Sequence, residues 1–263
     1  MNTQSQSDYE AILRQAVDRY LSDHGIERME PKAALFDMDG TLYDSMPCHA
    51  DAWMKMCREN GIVADRNEFF LFEGRTGAST LDILFRRQFG HPPTPEQVKE
   101  LYRQKTIWFK AMQPVPLMPG ASELTRKCVE AGLKCVLVTG SGQRSLLDKL
   151  GADYPGIFDP ELAVTSRDVT HGKPDPEPYL MAMQRVGVAP HESIVFENAP
   201  LGVESGARSG AFTVAVTTGP IPREAFVEAG ASVIFDSMPD CNFFFSRLLY
   251  LLRSGYDSLQ SAR

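Results

Sequence analysis

Asp37 and Asp39 stand two residues apart in the stretch Asp37-Met38-Asp39-Gly40-Thr41, with a glycine to make the turn. Paired carboxylates of this kind divide into a nucleophile and an acid/base when their surroundings push their pKa values apart. Thr139-Gly140-Ser141-Gly142 offers a hydroxyl and unencumbered backbone N–H groups ahead of a helical pattern, which suits an anion. Lys173, in His171-Gly172-Lys173-Pro174-Asp175-Pro176-Glu177, puts one cation just before another helical pattern. Glu197-Asn198 supplies oxygen donors suited to a hard cation such as magnesium. Singly, each is an ordinary turn or loop. Together, and in this order, they offer a nucleophile, an acid/base, a cradle for an anion and groups that neutralise charge.

Three of these sets follow a short apolar run that reads as a buried parallel strand: Ala33 to Phe36, Cys135 to Val138, and Ser193 to Phe196. Further runs at Phe212 to Val216 and Ala231 to Phe235 complete the series, and helical patterns separate them from residue 117 onward. The alternation predicts an α/β fold, a doubly wound, Rossmann-like parallel sheet, which binds ligands beyond the carboxyl ends of its strands. Residues 46–116 read differently, as helices with no buried strand. Thr94-Pro95-Glu96-Gln97 carries a capping box that opens one of them. The expected organisation is a helical extension over 1–29, a core from 30–45 and 117–253, and a helical cap over 46–116 inserted after the first strand. Within the extension, Tyr9, Leu13, Val17, Tyr20 and Leu21 fall on one helical face and require a partner surface.

Asp37, Thr139, Lys173 and the pair Glu197-Asn198, in that order, resemble the four motifs of the haloacid dehalogenase superfamily, and most closely its β-phosphoglucomutase-like branch. The resemblance covers about residues 31–237. It implies a central strand order 3-2-1-4-5 and a mobile cap. It further implies Asp37 as the nucleophile that forms an aspartyl-phosphate, Asp39 as the general acid/base, and Thr139 with Gly140 and Ser141 as the phosphoryl clamp. Lys173 becomes the cation that steadies nucleophile and phosphoryl oxygens. Magnesium is implied at Asp37, the Asp39 carbonyl, Glu197 and Asn198. Asp39 argues against dehalogenation, because the resemblance implies that dehalogenases lack it. His49 matches a cap-hinge histidine of the mutases.

Asn198 departs from the branch, which usually carries Asp there, so the metal site is one charge short. The cap stretch Glu73-Gly74-Arg75-Thr76-Gly77-Ala78-Ser79-Thr80 resembles bacterial members that act on sugar phosphates or inorganic pyrophosphate. Glu73 is expected to reach the metal, directly or through water, when the cap closes, with Arg75 or a cap lysine taking a distal phosphate. The expected activity is magnesium-dependent hydrolysis of a small phosphorylated metabolite. A β-phosphoglucomutase-type transfer and a non-catalytic ligand-binding regulator are the alternatives.

The 263 residues carry a net charge of −7 with no basic stripe, which disfavours a nucleic-acid partner. The opening MNTQSQSDYE lacks a basic region followed by an apolar core, and the run from Phe243 to Leu252 is broken by Ser246 and Arg247. Neither a signal peptide nor a membrane span is expected. Five scattered cysteines without a CxxC suit reduced thiols, and the expectation is a cytoplasmic monomer.

Overall fold

The computed structural model describes residues 3–112, 114–141 and 144–255. Five parallel strands form the sheet: β1 (Ala33–Phe36), β2 (Lys134–Leu137), β3 (Ser193–Glu197), β4 (Phe212–Val216) and β5 (Val233–Phe235). β1, β3, β4 and β5 are buried throughout, because helices cover both faces, and this explains their unbroken apolar runs. The order is β2-β1-β3-β4-β5. From β1 the chain goes to β2 on one side and later to β3 on the other. The strand order therefore reverses at β1, and the crevice beyond the carboxyl ends of β1 and β3 is where such a sheet binds ligands.

The order differs from the implied 3-2-1-4-5 at one edge. Beyond β2, where a further strand is expected, the described residues form only the bridges Cys135 to Phe158 and Val138 to Val164. Asp159-Pro160-Glu161 turns the chain there, with Leu162 and Ala163 N–H groups bonded back to Asp159 and Pro160. Proline brings no N–H to a ladder, and beyond this turn Val164 pairs with β2, donating its N–H to the Leu137 carbonyl and accepting at its own carbonyl from Thr139 N. β5 extends the opposite edge.

Helix α1 (Thr3–His24) lies against β5 and the closing helix α11 (Met238–Ser254). Tyr9 stacks on Phe244 with ring centroids 4.6 Å apart, and Tyr20 donates to the Gly210 carbonyl at 2.7 Å. Its apolar face thus finds its partner, and Gly25, at φ +63°, turns the chain out of the helix. The Phe243 to Leu252 stripe packs inward through Phe244, Phe245, Leu248, Leu249, Leu251 and Leu252. No described helix is long and apolar enough to cross a membrane.

Between β1 and β2 the cap contributes α2 (Met46–Glu59), α3 (Glu68–Leu71), α4 (Gly77–Phe89) and α5 (Pro95–Ala111). The capping box at Thr94 forms as expected, Thr94 Oγ1 accepting from Gln97 N at 3.3 Å and Gln97 Oε1 from Thr94 N at 2.8 Å. α4 starts at Gly77, because Thr76 caps it by accepting from Ser79 N at 3.2 Å. The two chain crossings between core and cap run side by side, through Asp44 N to Pro116 O and Met118 N to Leu42 O. α6 (Ala121–Glu130), α7 (Arg144–Asp153), α8 (Glu177–Val186), α9 (Pro200–Arg208) and α10 (Arg223–Glu228) return the chain between strands.

Candidate active site

Asp37 comes directly after β1 and still belongs to its ladder, since its N–H donates to the Phe196 carbonyl at 3.0 Å. Gly40 then turns at φ +82°, where a Cβ would lie 2.0 Å from Asn198 Nδ2; only glycine lets β1's loop approach β3's. Opposite, Thr139 follows β2, and its Oγ1 accepts from Ser141 N at 3.0 Å ahead of α7. Gly142 lies outside the described residues.

Lys173 is buried and gives its three protons to three acceptors: Asp37 Oδ1 at 2.6 Å, Glu197 Oε1 at 2.6 Å and the Val138 carbonyl at 3.1 Å. Burial works against its charge, but the two carboxylates hold its pKa above the ordinary value. Burial, with Glu197 and Asp39 nearby, pushes Asp37 upward, and Lys173 opposes that rise. Asp39 differs. Burial raises it too, but His49, Ser45 and Lys105 bring it down to about 2. Ser45 Oγ donates to Asp39 Oδ1 at 2.6 Å, and His49 Nε2 lies 3.1 Å from the same oxygen.

Behind His49 stands Lys105, its Nζ 2.6 Å from His49 Nδ1. Burial and that lysine lower the His49 pKa, so the imidazole is neutral, accepting at Nδ1 and donating at Nε2 to Asp39. Lys105 is 5% exposed, and burial lowers it to about 8. Sequence reasoning alone does not separate it from the solvated lysines of a helix. The available signal is its place on the apolar face Leu101, Lys105, Phe109 of α5, whereas Lys110 is exposed.

The cap loop ending α3 lies on the core. A Cβ on Gly74 would meet Lys173 and Leu201 at 3.5 and 3.6 Å, and one on Gly140 would meet the Gly74 carbonyl at 3.6 Å. This places Glu73 Oε2 2.9 Å from Asn198 Nδ2, while Asn198 Oδ1 accepts from Thr41 Oγ1 at 3.0 Å. Glu73 Oε1 is buried and has no partner. Burial, together with Asp37, Glu197 and Asp39, raises its pKa well above that of an ordinary glutamate. Beneath the cap is a cavity of about 120 Å³, lined by Asp37, Asp39, His49, Glu73, Arg75, Thr139, Gly140, Ser141 and Lys105. Trp53, Phe69, Phe72 and Tyr102 complete its wall. Tyr102 sits over the start of α4, where a Cβ on Gly77 would lie 2.2 Å from its ring.

Glu197 faces Lys173. The implied role is a magnesium ligand, yet Oε1 accepts from Lys173 and from Tyr179 Oη at 2.8 Å, while Oε2 accepts from Asn198 N and Ala199 N at 3.1 and 3.3 Å. Every lone-pair direction is taken, and the side chain serves Lys173. Among the described residues no group of three His, Cys, Asp or Glu side chains is arranged to hold an ion. The remaining donors are of a mixed kind: the Asp37 carboxylate, the Asp39 carbonyl, the Asn198 amide oxygen and Glu73. They fit a hard divalent cation, because an unpartnered buried carboxylate oxygen and several crowded acids call for positive charge.

Residues 31–210 match the family of haloacid dehalogenase-like hydrolases. The chain is 32% identical over 188 residues to hexitol phosphatase A of Escherichia coli, spanning 72% of this chain and 84% of that one. It is 30% identical over 217 residues to 2-deoxyglucose-6-phosphate phosphatase 1 of Saccharomyces cerevisiae, spanning 76% and 85%. Among solved structures, one described as "Putative beta-phosphoglucomutase from Bacteroides vulgatus" is 46% identical with a TM-score of 0.88, spanning 92% of this chain and 99% of that one.

Proposed function

Because the chain belongs to the haloacid dehalogenase-like hydrolases and is an enzyme that hydrolyses phosphate compounds, we propose that it cleaves a compact phosphorylated substrate through a phosphorylated Asp37. Inorganic pyrophosphate comes first and small sugar phosphates second. The observation that carries this reading is the cavity of about 120 Å³ shared by Asp37, Asp39 and the Thr139 loop under a seated cap. Pockets for drug-sized ligands hold ~300–1,000 Å³, so the space favours a substrate with little beyond its phosphoryl groups.

In this reading an Asp37 carboxylate oxygen attacks phosphorus, and the bond from phosphorus to the leaving oxygen breaks. Asp39 donates a proton to that oxygen, then takes one from the water that attacks the aspartyl-phosphate and releases phosphate. Asp39 is ionised while the site is empty of substrate, ready for the second role. A phosphoryl dianion seated beside it raises its proton affinity for the first. Thr139, Gly140 and Ser141 hold the phosphoryl oxygens, Lys173 keeps Asp37 aimed, and Arg75 at the rim receives a distal phosphate. Magnesium at Asp37, the Asp39 carbonyl, Asn198 and Glu73 would neutralise charge on the phosphoryl group.

A phosphate-release screen of the purified protein with magnesium tests the reading. Pyrophosphate is expected to exceed hexose monophosphates, and the reverse order by a large factor would leave the sugar-phosphatase reading in its place. The likeness to a structure described as a mutase gives a second outcome to check: formation of glucose 6-phosphate from β-glucose 1-phosphate in place of phosphate release.

Asp39→Asn is expected to slow turnover by ~10²–10⁴-fold. A loss below tenfold would assign the proton transfers to another group. Glu73→Ala should raise the magnesium needed for half-maximal rate by ~10-fold or more. An unchanged magnesium requirement would separate Glu73 from the metal.

A further inference from the structure

Tyr179, on the inner face of α8, is 0% exposed and is not among the residues that line the cavity. Its Oη donates to Glu197 Oε1 at 2.8 Å, the same oxygen that accepts from Lys173 at 2.6 Å. Lys173 Nζ also lies 5.1 Å from the Tyr179 ring centroid. The opposite wall is α9, where a Cβ on Gly202 would fall 1.8 Å from that carboxylate oxygen. The carboxylate is therefore held between a phenol donor and a helix that has no side chain at the point of contact.

Resting on the phosphohydrolase reading above, we propose that Tyr179 is a positioning residue that sets how Lys173 is shared between Glu197 and the Asp37 end of the site. Lys173 has three protons and all are placed, so it reaches a phosphoryl oxygen only by loosening one of them. The carbonyl of Val138 is fixed in the chain, and Asp37 must stay aimed. The bond to Glu197 is the one that gives. Tyr179 occupies part of the acceptor capacity of Oε1 and so weakens its hold on the ammonium. Without the phenol, Glu197 keeps Lys173 more tightly, and the loss falls on the transition state, where charge on the phosphoryl oxygens is greatest.

The test is Tyr179→Phe, measured for phosphate release from pyrophosphate and from p-nitrophenyl phosphate, alone and in a Glu197→Met background. The expected result is a fall in kcat of ~10-fold or more with KM within about threefold, the pattern of an interaction made in the transition state. The melting temperature should stay within ~4 °C of wild type. In the Glu197→Met background the same change should have no further effect, because the side chain then offers neither the phenol nor the ammonium an oxygen and the route is gone; a merely structural hydroxyl would act equally in both backgrounds. An unchanged kcat, or equal losses in both backgrounds, overturns the proposal. Should the wild-type protein release no phosphate, the phosphohydrolase reading fails by itself. The crystal structure of Tyr179→Phe then decides the inference, and Glu197 and Lys173 side chains unmoved from their wild-type positions overturn it.

Discussion

Replacing Asp37 with asparagine is expected to reduce phosphate release by ~10⁴-fold or more, because the amide has no anionic oxygen to attack phosphorus. The fold should survive. The introduced amide oxygen would still accept from Lys173, and the change removes one of the carboxylates crowded around Glu73, whose pKa is raised by burial and by Asp37, Glu197 and Asp39. The melting temperature should therefore equal or exceed that of the wild type. Phosphate release and thermal unfolding measured on the same preparation separate lost chemistry from lost structure. Turnover within tenfold of wild type would rule out Asp37 as the nucleophile.

Lys173→Ala should cost both structure and chemistry. It leaves Asp37 and Glu197 buried without their shared cation, and breaking such a pair from one side costs ~3–5 kcal/mol. Turnover should fall by ~10²–10³-fold, the scale of removing one fixed donor from developing charge. Lys173→Met, which keeps most of the volume, is the companion in case the alanine variant does not fold. A folded variant with unchanged kinetics would place this lysine outside the reaction.

Strands were legible in the sequence to the extent that both faces are buried. Ala33 to Phe36 has the same bounds in sequence pattern and structure, because a strand covered on both sides needs no alternation. Asp37, Asp39 and Thr139 were legible because they sit at strand ends, where a parallel sheet directs them to one crevice. α3 was not, since four residues are too few to show a period. Yet α3 and its following loop bring Glu73 onto the core. The role of Glu197 was hidden for another reason: its neighbours Lys173 and Tyr179 come from the β2–β3 connection and meet it only by tertiary approach. Gly202, inside a helix where glycine is unfavourable, was the one local hint that something needed the space.

Glu10 on α1 is paired with Arg247 on α11 across 237 residues of chain. On a ribosome adding ~5–20 residues per second, the first helix waits roughly 10–50 s before its partner exists. Throughout that interval Leu13, Val17 and Leu21, fully enclosed in the finished protein, face water or whatever else is near the exit tunnel. Synthesis of α11 therefore encloses α1, and chains released before it should be the ones that chaperones retain. Contacts this distant in sequence also slow refolding from denaturant, because the loop must close before they repay its entropy.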